Sequence, residues 1–346
     1  MRAVTFREPG RVEVADVPDP SVEDDRDAVV GISVSAICGS DLHFLHGKAP
    51  LEPGDVMGHE AVGVVEAVGA GVERFSPGDR VVVAFDIACG ACWFCRNGQT
   101  GLCEDFRNLG AGLFGGGLPG AQAERVRVPV ADVNLLAIPP GIDDERAIFV
   151  GDVLTTALHA AELARIEPGE RVAIVGSGPV GALLVQTAGL FDPAEIVAID
   201  LEPSRLALAG TFGAVTIDAR ASNPQSAIFE RTEGRGADVV FEAVGSPEGF
   251  EGAFDVVRRG GRLVVVGMYA SETISAQLGV WWARALEVAF TGICPVHAVW
   301  KRAMGELVSG RLDPMPLVSH RLPLERAATG YELFDRRQAT KVLLVP

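Results

Sequence analysis

The stretch that decides the fold runs from Arg171 to Leu190 and reads RVAIVGSGPVGALLVQTAGL. It begins with a short apolar run, continues through a glycine-rich turn and ends in a second apolar segment. A strand, a glycine turn and a helix in this order aim the backbone N–H groups of the helix start at a phosphate, and the third glycine lets helix and strand pack closely. The stretch therefore predicts a dinucleotide-binding turn made of Gly176, Gly178, Pro179, Val180 and Gly181.

The pattern continues on the C-terminal side of this turn. Helical stretches alternate with short apolar runs, which we interpret as strands at 172–175, 196–199, 214–217, 239–241, 263–266 and 286–290. Such runs are typical of strands buried in a parallel sheet, so we predict an α/β unit with a doubly wound parallel sheet. Residues 172–191 carry no charge over a length that could span a bilayer, but the Gly-Ser-Gly-Pro interruption favours the strand, turn and helix.

The first part of the chain has a different texture. Up to about Val130 it consists of short strand-like runs between turn signals, for example 61–68 and 80–84, which predicts a β-rich domain. The sequence pattern changes after Pro139-Pro140-Gly141, and this change separates the β-rich region from the α/β unit. We predict domains at 1–150 with 293–346, and at 151–292, the apolar run 342–345 returning to the first domain. The glycine-rich run 110–120 is predicted to be a flexible surface loop.

Asp200 ends the second predicted strand of the α/β unit, about twenty residues beyond the glycine turn. A carboxylate there can accept both ribose hydroxyl groups of adenosine and repels a 2′-phosphate, so the sequence favours NAD over NADP. Arg205 lies close by and could weaken the preference by meeting a phosphate. The alternative for Asp200 is a helix cap at a strand end.

Four cysteines share one short segment: Cys89, Cys92, Cys95 and Cys103. Thiolates at this spacing can complete a tetrahedral shell around Zn²⁺ without ligands from elsewhere, and a complete shell is typical of structural rather than catalytic zinc. The sequence thus predicts a structural zinc lobe at about 86–104. The sixth cysteine, Cys294, is interpreted as a small core residue.

A second metal site is predicted from residues far apart in the chain. Cys38 and His59 supply one thiolate and one imidazole, and a catalytic zinc needs three protein ligands with one position open. Asp152 is the best candidate for the third ligand. Each could instead be an ordinary core residue, but together with the other motifs they favour a metal.

The bulk composition limits the class of ligand. The chain has 346 residues, 48% of them hydrophobic, and a formal net charge of −16. With no basic block, nucleic acid and anionic membranes are disfavoured, so small molecules are the expected partners. The N-terminus lacks the apolar core of a signal peptide, and we expect a cytoplasmic location.

Taken together, these motifs resemble those of the zinc-dependent medium-chain alcohol dehydrogenases. The resemblance covers essentially the whole chain, and it implies a GroES-like catalytic domain followed by a Rossmann domain. Such enzymes hold their catalytic zinc with two cysteines and one histidine. This chain has Asp152 in place of the second cysteine, which resembles certain bacterial secondary-alcohol dehydrogenases and aldehyde-dismutating relatives.

The resemblance also implies roles for neighbouring residues. Glu60 would be an intermittent zinc ligand, and Asp41 would orient His59. Protons would leave through Ser40, the cofactor ribose and His43. Contacts with the nicotinamide are implied for Thr156 and Val180, and with the substrate for Phe85.

The expected activity is reversible oxidation of primary or secondary alcohols to aldehydes or ketones, with two zinc ions per chain and hydride transfer to NAD. A homotetramer is expected, with a dimer as the alternative. A polyol or amino-alcohol dehydrogenase, of the sorbitol or threonine type, remains open, as does a zinc lobe that only binds protein. Trp281 and Trp282 could line an apolar substrate pocket or lie at a subunit interface.

Overall fold

The computed structural model describes residues 1–269, 272–275 and 277–346. The chain forms two compact units. Unit 1 comprises Met1–Thr155 and Ile293–Pro346, and unit 2 comprises Thr156–Gly292.

The seventeen strands of the described residues form four sheets, two of which are two-stranded. In chain order they are β1 Arg2–Glu8, β2 Arg11–Asp16, β3 Ala28–Ile37, β4 Glu60–Val68, β5 Arg80–Val83, β6 Asp86–Ile87, β7 Arg107–Asn108, β8 Arg125–Val128, β9 Leu135–Ala137, β10 Arg171–Val175, β11 Glu195–Asp200, β12 Val215–Asp218, β13 Ala237–Glu242, β14 Val257–Val265, β15 Glu287–Phe290, β16 Val318–Pro323 and β17 Lys341–Val345.

Twelve α-helices are found among the described residues. They are α1 Asp41–Leu45, α2 Trp93–Arg96, α3 Ala131–Asn134, α4 Asp144–Ala147, α5 Val153–Leu163, α6 Pro179–Gly189, α7 Pro203–Thr211, α8 Pro224–Arg231, α9 Pro247–Val256, α10 Leu278–Arg284, α11 Val296–Val308 and α12 Ala327–Asp335. Single 3₁₀ turns occur at Thr100–Leu102, Gly112–Gly115, Ile148–Gly151, Met315–Leu317 and Leu324–Arg326.

Unit 2 contains a six-stranded parallel sheet in the order β12-β11-β10-β13-β14-β15. This is the doubly wound order, and each of the six predicted apolar runs provides one of its strands, so the predicted fold class is confirmed. Val172, Ala173 and Ile174 of β10 are all fully buried, because the central strand of such a sheet is covered on both faces.

Unit 1 is built on a seven-stranded sheet in the order β16-β17-β3-β4-β5-β9, with β8 also paired to β3. Two hydrophobic clusters pack against it, one containing Ile37, Tyr331 and Leu344 and the other containing Val30, Val81 and Leu135. The C-terminal strand β17 pairs antiparallel with β3 and parallel with β16. The last strand of the chain therefore lies in the same sheet as β3, near the N-terminus.

The glycine-rich run 110–120 differs from the flexible surface loop that the sequence predicted. Ala111 and Leu118 are buried. A Cβ atom on Gly110 would lie 2.5 Å from the Gly58 carbonyl oxygen, and one on Gly120 would lie 2.2 Å from that of Met57. The glycines thus allow backbone to pack on backbone beside His59, and only the tips, such as Leu113 and Phe114, are exposed.

Residues 172–191, which had the length and apolar character of a membrane span, form β10, the glycine turn and α6. Within the described part of the chain, no helix is both long and apolar enough to cross a membrane.

Candidate active site and metal centres

The four clustered cysteines lie close enough to bind one ion. Cys89 Sγ is 3.9 Å from Cys95 Sγ, and Cys92 Sγ is 4.0 Å from Cys103 Sγ. Sulfur atoms on the corners of a tetrahedron around zinc, each about 2.3 Å from it, are about 3.8 Å apart. The donor set therefore fits zinc in size as well as in chemistry.

Backbone N–H groups donate hydrogen bonds to these sulfur atoms and so favour their thiolate form. Cys89 Sγ accepts N–H groups from Ala91 and Cys92, each at 3.4 Å. Cys92 is the N-cap of α2, where its Sγ accepts the N–H of Cys95 at 3.5 Å. These amides, first that of Cys95 and then that of Glu104, lower the pKa of Cys92 to about 6. Since thiolates rather than thiols bind metal, the lobe is preorganised for a cation.

A second donor group consists of Cys38, His59, Glu60 and Asp152, with one ligand atom from each within 4.8 Å of the others. Asp152 Oδ2 lies 3.5 Å from Cys38 Sγ and 3.1 Å from His59 Nε2. One thiolate and one carboxylate balance the charge of Zn²⁺, and the separations suit a tetrahedral ion. The residues present therefore fit a catalytic zinc.

Sheet pairing explains how distant residues meet here. Strands β3 and β4 are antiparallel neighbours with Ala36 opposite Glu60, so Cys38 just beyond β3 and His59 just before β4 lie side by side. Asp152 follows the 3₁₀ turn Ile148–Gly151, whose last carbonyl accepts the N–H of Phe85 at 3.3 Å. A Cβ on Gly151 would lie 2.8 Å from the Val83 carbonyl oxygen, so this approach needs glycine.

Asp41 orients two of the donors at once. Its Oδ1 lies 3.0 Å from His59 Nδ1, and its Oδ2 accepts the backbone N–H of Cys38 at 3.0 Å. Occupying Nδ1 leaves Nε2 of His59 facing Asp152, as a metal-binding histidine requires. Gln122, which the sequence did not single out, bonds to Asp41 through Nε2 and accepts the Tyr331 hydroxyl group at 2.8 Å.

The charges in this group are strongly coupled. Burial disfavours the charged form of His59, but Asp41 and then Asp152 outweigh it and raise its pKa well above the usual value. Burial, Asp152 and Glu60 raise the pKa of the Cys38 thiol. Burial also opposes charge on Asp152, yet its hydrogen bond with His59 lowers its pKa. A metal must displace protons from Cys38 and His59 to bind.

Glu60 has a partner that sequence reasoning missed. Its carboxylate forms an ion pair with Lys341, and both side chains are fully buried. The available signal was a lysine at the start of the apolar terminal run Lys-Val-Leu-Leu-Val, since a charge in a buried strand is almost always paired. Nothing in the sequence indicated that the partner would be Glu60.

The other predicted residues of unit 1 lie around the donors. Ser40 Oγ is 3.3 Å from His59 Nε2. His43 lies on α1, half-buried, with its backbone N–H bonded to Ser40. The Phe85 ring meets the His59 ring edge-on, with centroids 6.0 Å apart.

Asp86, which follows Phe85, was also missed. It is fully buried, and neither of its carboxylate oxygens has a hydrogen-bond partner among the described residues. Burial raises its pKa to about 8, and Asp152 adds repulsion.

The glycine turn of unit 2 has the tight geometry that the motif predicts. Gly176 has a φ of +93°, and a Cβ on Gly181 would lie 1.9 Å from the Gly176 carbonyl oxygen. The helix α6 starts with Gly178 as N-cap and Pro179 in its first turn, followed by Val180. The turn thus leaves room for a close approach of phosphate to backbone, so it fits a dinucleotide.

Asp200 and Arg205 both lie at this turn. Asp200 Oδ2 accepts the Ser177 N–H at 2.6 Å, and Oδ1 accepts those of Leu201 and Glu202. Asp200 thus binds the glycine turn and the loop before α7, but it is not a helix cap, since the N-cap of α7 is Glu202 and that of α6 is Gly178. A Cβ on Gly178 would lie 3.9 Å from an Arg205 nitrogen, which puts the guanidinium group beside the turn.

Three further predicted residues lie in unit 2. Thr156 is half-buried in α5. Trp281 packs on Phe250 and Phe254 with ring centroids 5.7 and 5.2 Å apart. Trp282 beside it is 85% exposed.

Known proteins match the whole chain. A family model for the alcohol dehydrogenase GroES-like domain matches residues 24–140, and one for the zinc-binding dehydrogenases matches residues 179–309. An uncharacterised zinc-type alcohol dehydrogenase-like protein of Bacillus subtilis, AdhB, is 35% identical over 381 residues and covers 100% of both chains. Sorbitol dehydrogenase of the same organism is 31% identical, covering 100% of this chain and 97% of its own.

Solved structures agree. Alcohol dehydrogenase TADH from Thermus sp. ATN1 has a TM-score of 0.95 at 45% identity, covering 100% of this chain and 99% of its own. A zinc-binding dehydrogenase from Sinorhizobium meliloti 1021 bound to NADP has a TM-score of 0.86 at 30% identity, with 100% and 99% covered. With two zinc-compatible donor groups, a dinucleotide turn and relatives along its full length, the chain belongs to the zinc-dependent medium-chain alcohol dehydrogenase family.

Proposed function

We propose that this enzyme oxidises primary or secondary alcohols reversibly to aldehydes or ketones and transfers the hydride to NAD. The observation that carries the proposal is the convergence of Cys38, His59 and Asp152, from three distant parts of the chain, on one buried point. Three such ligands leave a fourth position for substrate, the arrangement of catalytic zinc.

A zinc ion held there supplies a Lewis acid that stabilises negative charge on the substrate oxygen. The protein side chains orient the metal ligands and line the site. Asp41 fixes the ring of His59, and Lys341 holds the carboxylate of Glu60, which keeps that intermittent ligand ready beside the other donors. The ring of Phe85 lines the site next to His59 and makes it suitable for an apolar substituent.

Ser40 is the first group of the proposed proton path. Its hydroxyl lies among the donors, 3.3 Å from His59 Nε2, where it can accept the substrate proton. With the cofactor bound, His43 would carry that proton onward. Thr156 and Val180 are proposed to contact the nicotinamide.

NAD is the proposed cofactor because Asp200 puts a carboxylate at the end of β11, where it disfavours a 2′-phosphate. Arg205 beside Gly178 works against this discrimination, so we expect a preference rather than an exclusion. We further propose one structural zinc in the tetracysteine lobe, a cytoplasmic location and a homotetramer, a dimer being the alternative.

A polyol dehydrogenase is the second candidate. Sorbitol dehydrogenase of Bacillus subtilis resembles the chain along its full length, and a polyol needs the same zinc and hydride chemistry.

The test measures zinc content and initial rates together. Protein with about two zinc ions per chain is assayed with NAD and NADP against primary alcohols, secondary alcohols, sorbitol and threonine, following absorbance of the reduced cofactor. We expect the highest kcat/KM with NAD and a simple alcohol. A higher value with sorbitol would favour the second candidate, and turnover that survives replacement of Cys38 by serine with loss of metal would refute both.

A further inference from the structure

The order of strands fixes the direction in which the cofactor would lie. Asp200 ends β11, and the glycine turn follows β10, its neighbour in the sheet. If the adenosine binds at Asp200 and the pyrophosphate at the turn, as in the proposed function on which this inference rests, the nicotinamide half extends further in the same direction. It reaches the carboxyl ends of β13 and β14, since the crevice of a doubly wound sheet opens between the first and fourth strands.

The last residue of β13 is Glu242, which is fully buried at this edge and pairs with Val175 of β10. Its Oε1 accepts the backbone N–H groups of Val244 at 2.7 Å and Gly245 at 2.9 Å. Its Oε2 is buried without a hydrogen bond of normal geometry among the described residues, and the Tyr269 hydroxyl group interacts with this carboxylate and partly offsets the rise in its pKa that burial causes. A carboxylate in such a position costs stability, so its presence calls for a physical reason.

Glu242 lies where two loops meet. We name residues 243–246, after β13, the first loop, and residues 266–269, after β14, the second loop. The main-chain carbonyl of Glu242 accepts N–H groups from Val266 at 2.8 Å and Gly267 at 3.0 Å, while its side chain binds the first loop. One residue therefore ties both loops together.

The contact between the loops is too close for side chains. Gly245 has a φ of +77°, and a Cβ there would lie 2.4 Å from the Met268 carbonyl oxygen. A Cβ on Gly267 would lie 2.2 Å from the Gly245 nitrogen and 2.8 Å from Glu242 Oε2. The carboxylate thus fills a space that three elements enclose, the third being the start of α9, where a Cβ on Gly249 would lie 2.7 Å from Oε1.

Burial disfavours a negative charge on Glu242, and its surroundings offset this effect only in part. Burial raises the pKa of Glu242, but the amides of Gly245 and Val244 oppose that rise. The N-terminus of α9 adds a favourable dipole. An aliphatic side chain of similar size would leave the N–H groups of Val244 and Gly245 without an acceptor.

We propose that Glu242 is a positioning residue that fixes the two loops in the arrangement that receives the nicotinamide half of the cofactor. It acts through the loops and does not touch the reacting atoms. The adenosine half, held at Asp200 on the other side of the glycine turn, does not depend on it.

The experiment compares two ligands in the purified, zinc-loaded enzyme. NADH binding is measured by its fluorescence, and ADP-ribose, which lacks the nicotinamide, by competition. Glu242→Leu should weaken NADH binding about 10-fold, because the buried N–H groups of Val244 and Gly245 lose their acceptor and the loops lose the contact that fixes them. ADP-ribose affinity should stay close to that of the wild type, and kcat should fall with the same variant.

Asp238→Asn is the matched control, because it removes a half-buried carboxylate from the opposite, amino end of the same strand, where Asp238 bonds to Arg171 and Arg258. It should change neither affinity appreciably. Glu242→Asp, which keeps the carboxylate but shortens the reach, provides a milder variant if Glu242→Leu folds poorly, and thermal melting checks both.

Equal losses of NADH and ADP-ribose affinity, or no loss of either, would overturn the role of Glu242. Wild-type protein that binds neither ligand would instead remove the proposed NAD site itself, so the two failures are distinguishable.

Discussion

At the scale of single residues, Lys341 is a buried charge whose partner is the buried carboxylate of Glu60. Both Lys341 and Glu60 are fully buried and paired. Lys341→Met should lower the free energy of unfolding by about 3–5 kcal/mol, because it leaves an uncompensated buried carboxylate. Urea unfolding followed by tryptophan fluorescence measures the loss.

The double variant Lys341→Met with Glu60→Gln is the control for this prediction. Removing both charges should recover much of the lost stability, since a buried pair replaced as a whole costs little. A single variant as stable as the wild type would show that the ion pair does not form in solution.

Asp86 should make stability depend on pH. Its pKa in the folded chain is about 8, above the value of about 3.9 for an unfolded aspartate. The folded state therefore holds the proton of Asp86 more tightly than the unfolded state does. The stability that this protonation contributes is fully present below about pH 4 and is lost as the pH rises toward 8.

Asp86→Asn should remove that slope. Between about pH 5 and about pH 7 the unfolding free energy of the variant, relative to the wild type, should rise by about 1.4 kcal/mol per pH unit, whatever constant cost the amide brings. Urea unfolding at several pH values measures the slope. Parallel curves for the two proteins would mean that Asp86 titrates normally.

At the scale of elements, the helix α6 contains two glycines whose replacement by alanine should have opposite effects on stability. Gly181→Ala puts a Cβ 1.9 Å from the Gly176 carbonyl oxygen, whereas one on Gly189 meets nothing within 4 Å. We expect Gly181→Ala to cost about 1–3 kcal/mol of stability through overpacking and to weaken NADH binding. Gly189→Ala, the matched control, should gain up to about 1 kcal/mol.

Thermal unfolding and NADH fluorescence titration of both variants test this difference. An unchanged NADH affinity in Gly181→Ala would show that the turn can relax without losing its ligand.

The zinc lobe is the second element with a testable dependence. Cys95→Ala should remove about one zinc ion per chain, because a tetrahedral structural site does not tolerate the loss of a thiolate. The lobe should then become sensitive to protease around α2. Cys294→Ala, which replaces a buried cysteine outside both donor groups, should keep its zinc. Metal analysis and limited proteolysis distinguish the outcomes, and full zinc content in Cys95→Ala would contradict the assignment.

Elements were predictable where a pattern is local. The six strands of unit 2 follow from short apolar runs, because parallel strands are buried on both faces and need no alternation. The run 110–120 was wrongly predicted to be a surface loop, because glycines that permit a close approach of two backbones look in sequence like the glycines of an exposed loop. Only the neighbouring backbone of Met57 and Gly58 distinguishes the two.

For the site, local motifs indicated Cys38, His59 and the four clustered cysteines, and the resemblance to a family added Asp41 and Ser40. The contact of Lys341 with Glu60 could not be predicted, since the two lie 281 residues apart in the chain. Only the pairing of β17 with β3 brings them together. Asp86 and Glu242 were missed for a related reason. Burial of a carboxylate is a property of the folded environment, and an isolated carboxylate in a sequence usually lies at the surface.

At the scale of the whole molecule, the chain divides its chemistry between its units. Every member of the two metal donor groups found among the described residues belongs to unit 1, whereas the glycine turn and Asp200 belong to unit 2. Metal and dinucleotide should therefore be separable. Removing zinc with a chelator should abolish alcohol oxidation while NADH still binds to unit 2.

The measurement treats the enzyme with a chelator, removes it by gel filtration, and follows zinc content, alcohol-dependent turnover and NADH fluorescence in the same samples. Returning zinc should restore turnover, and magnesium should not, because a thiolate and an imidazole favour zinc over a hard cation. Loss of NADH binding in step with zinc would mean that the metal supports the fold of unit 2 as well. Turnover that persists without metal would instead remove Cys38, His59 and Asp152 from the chemistry.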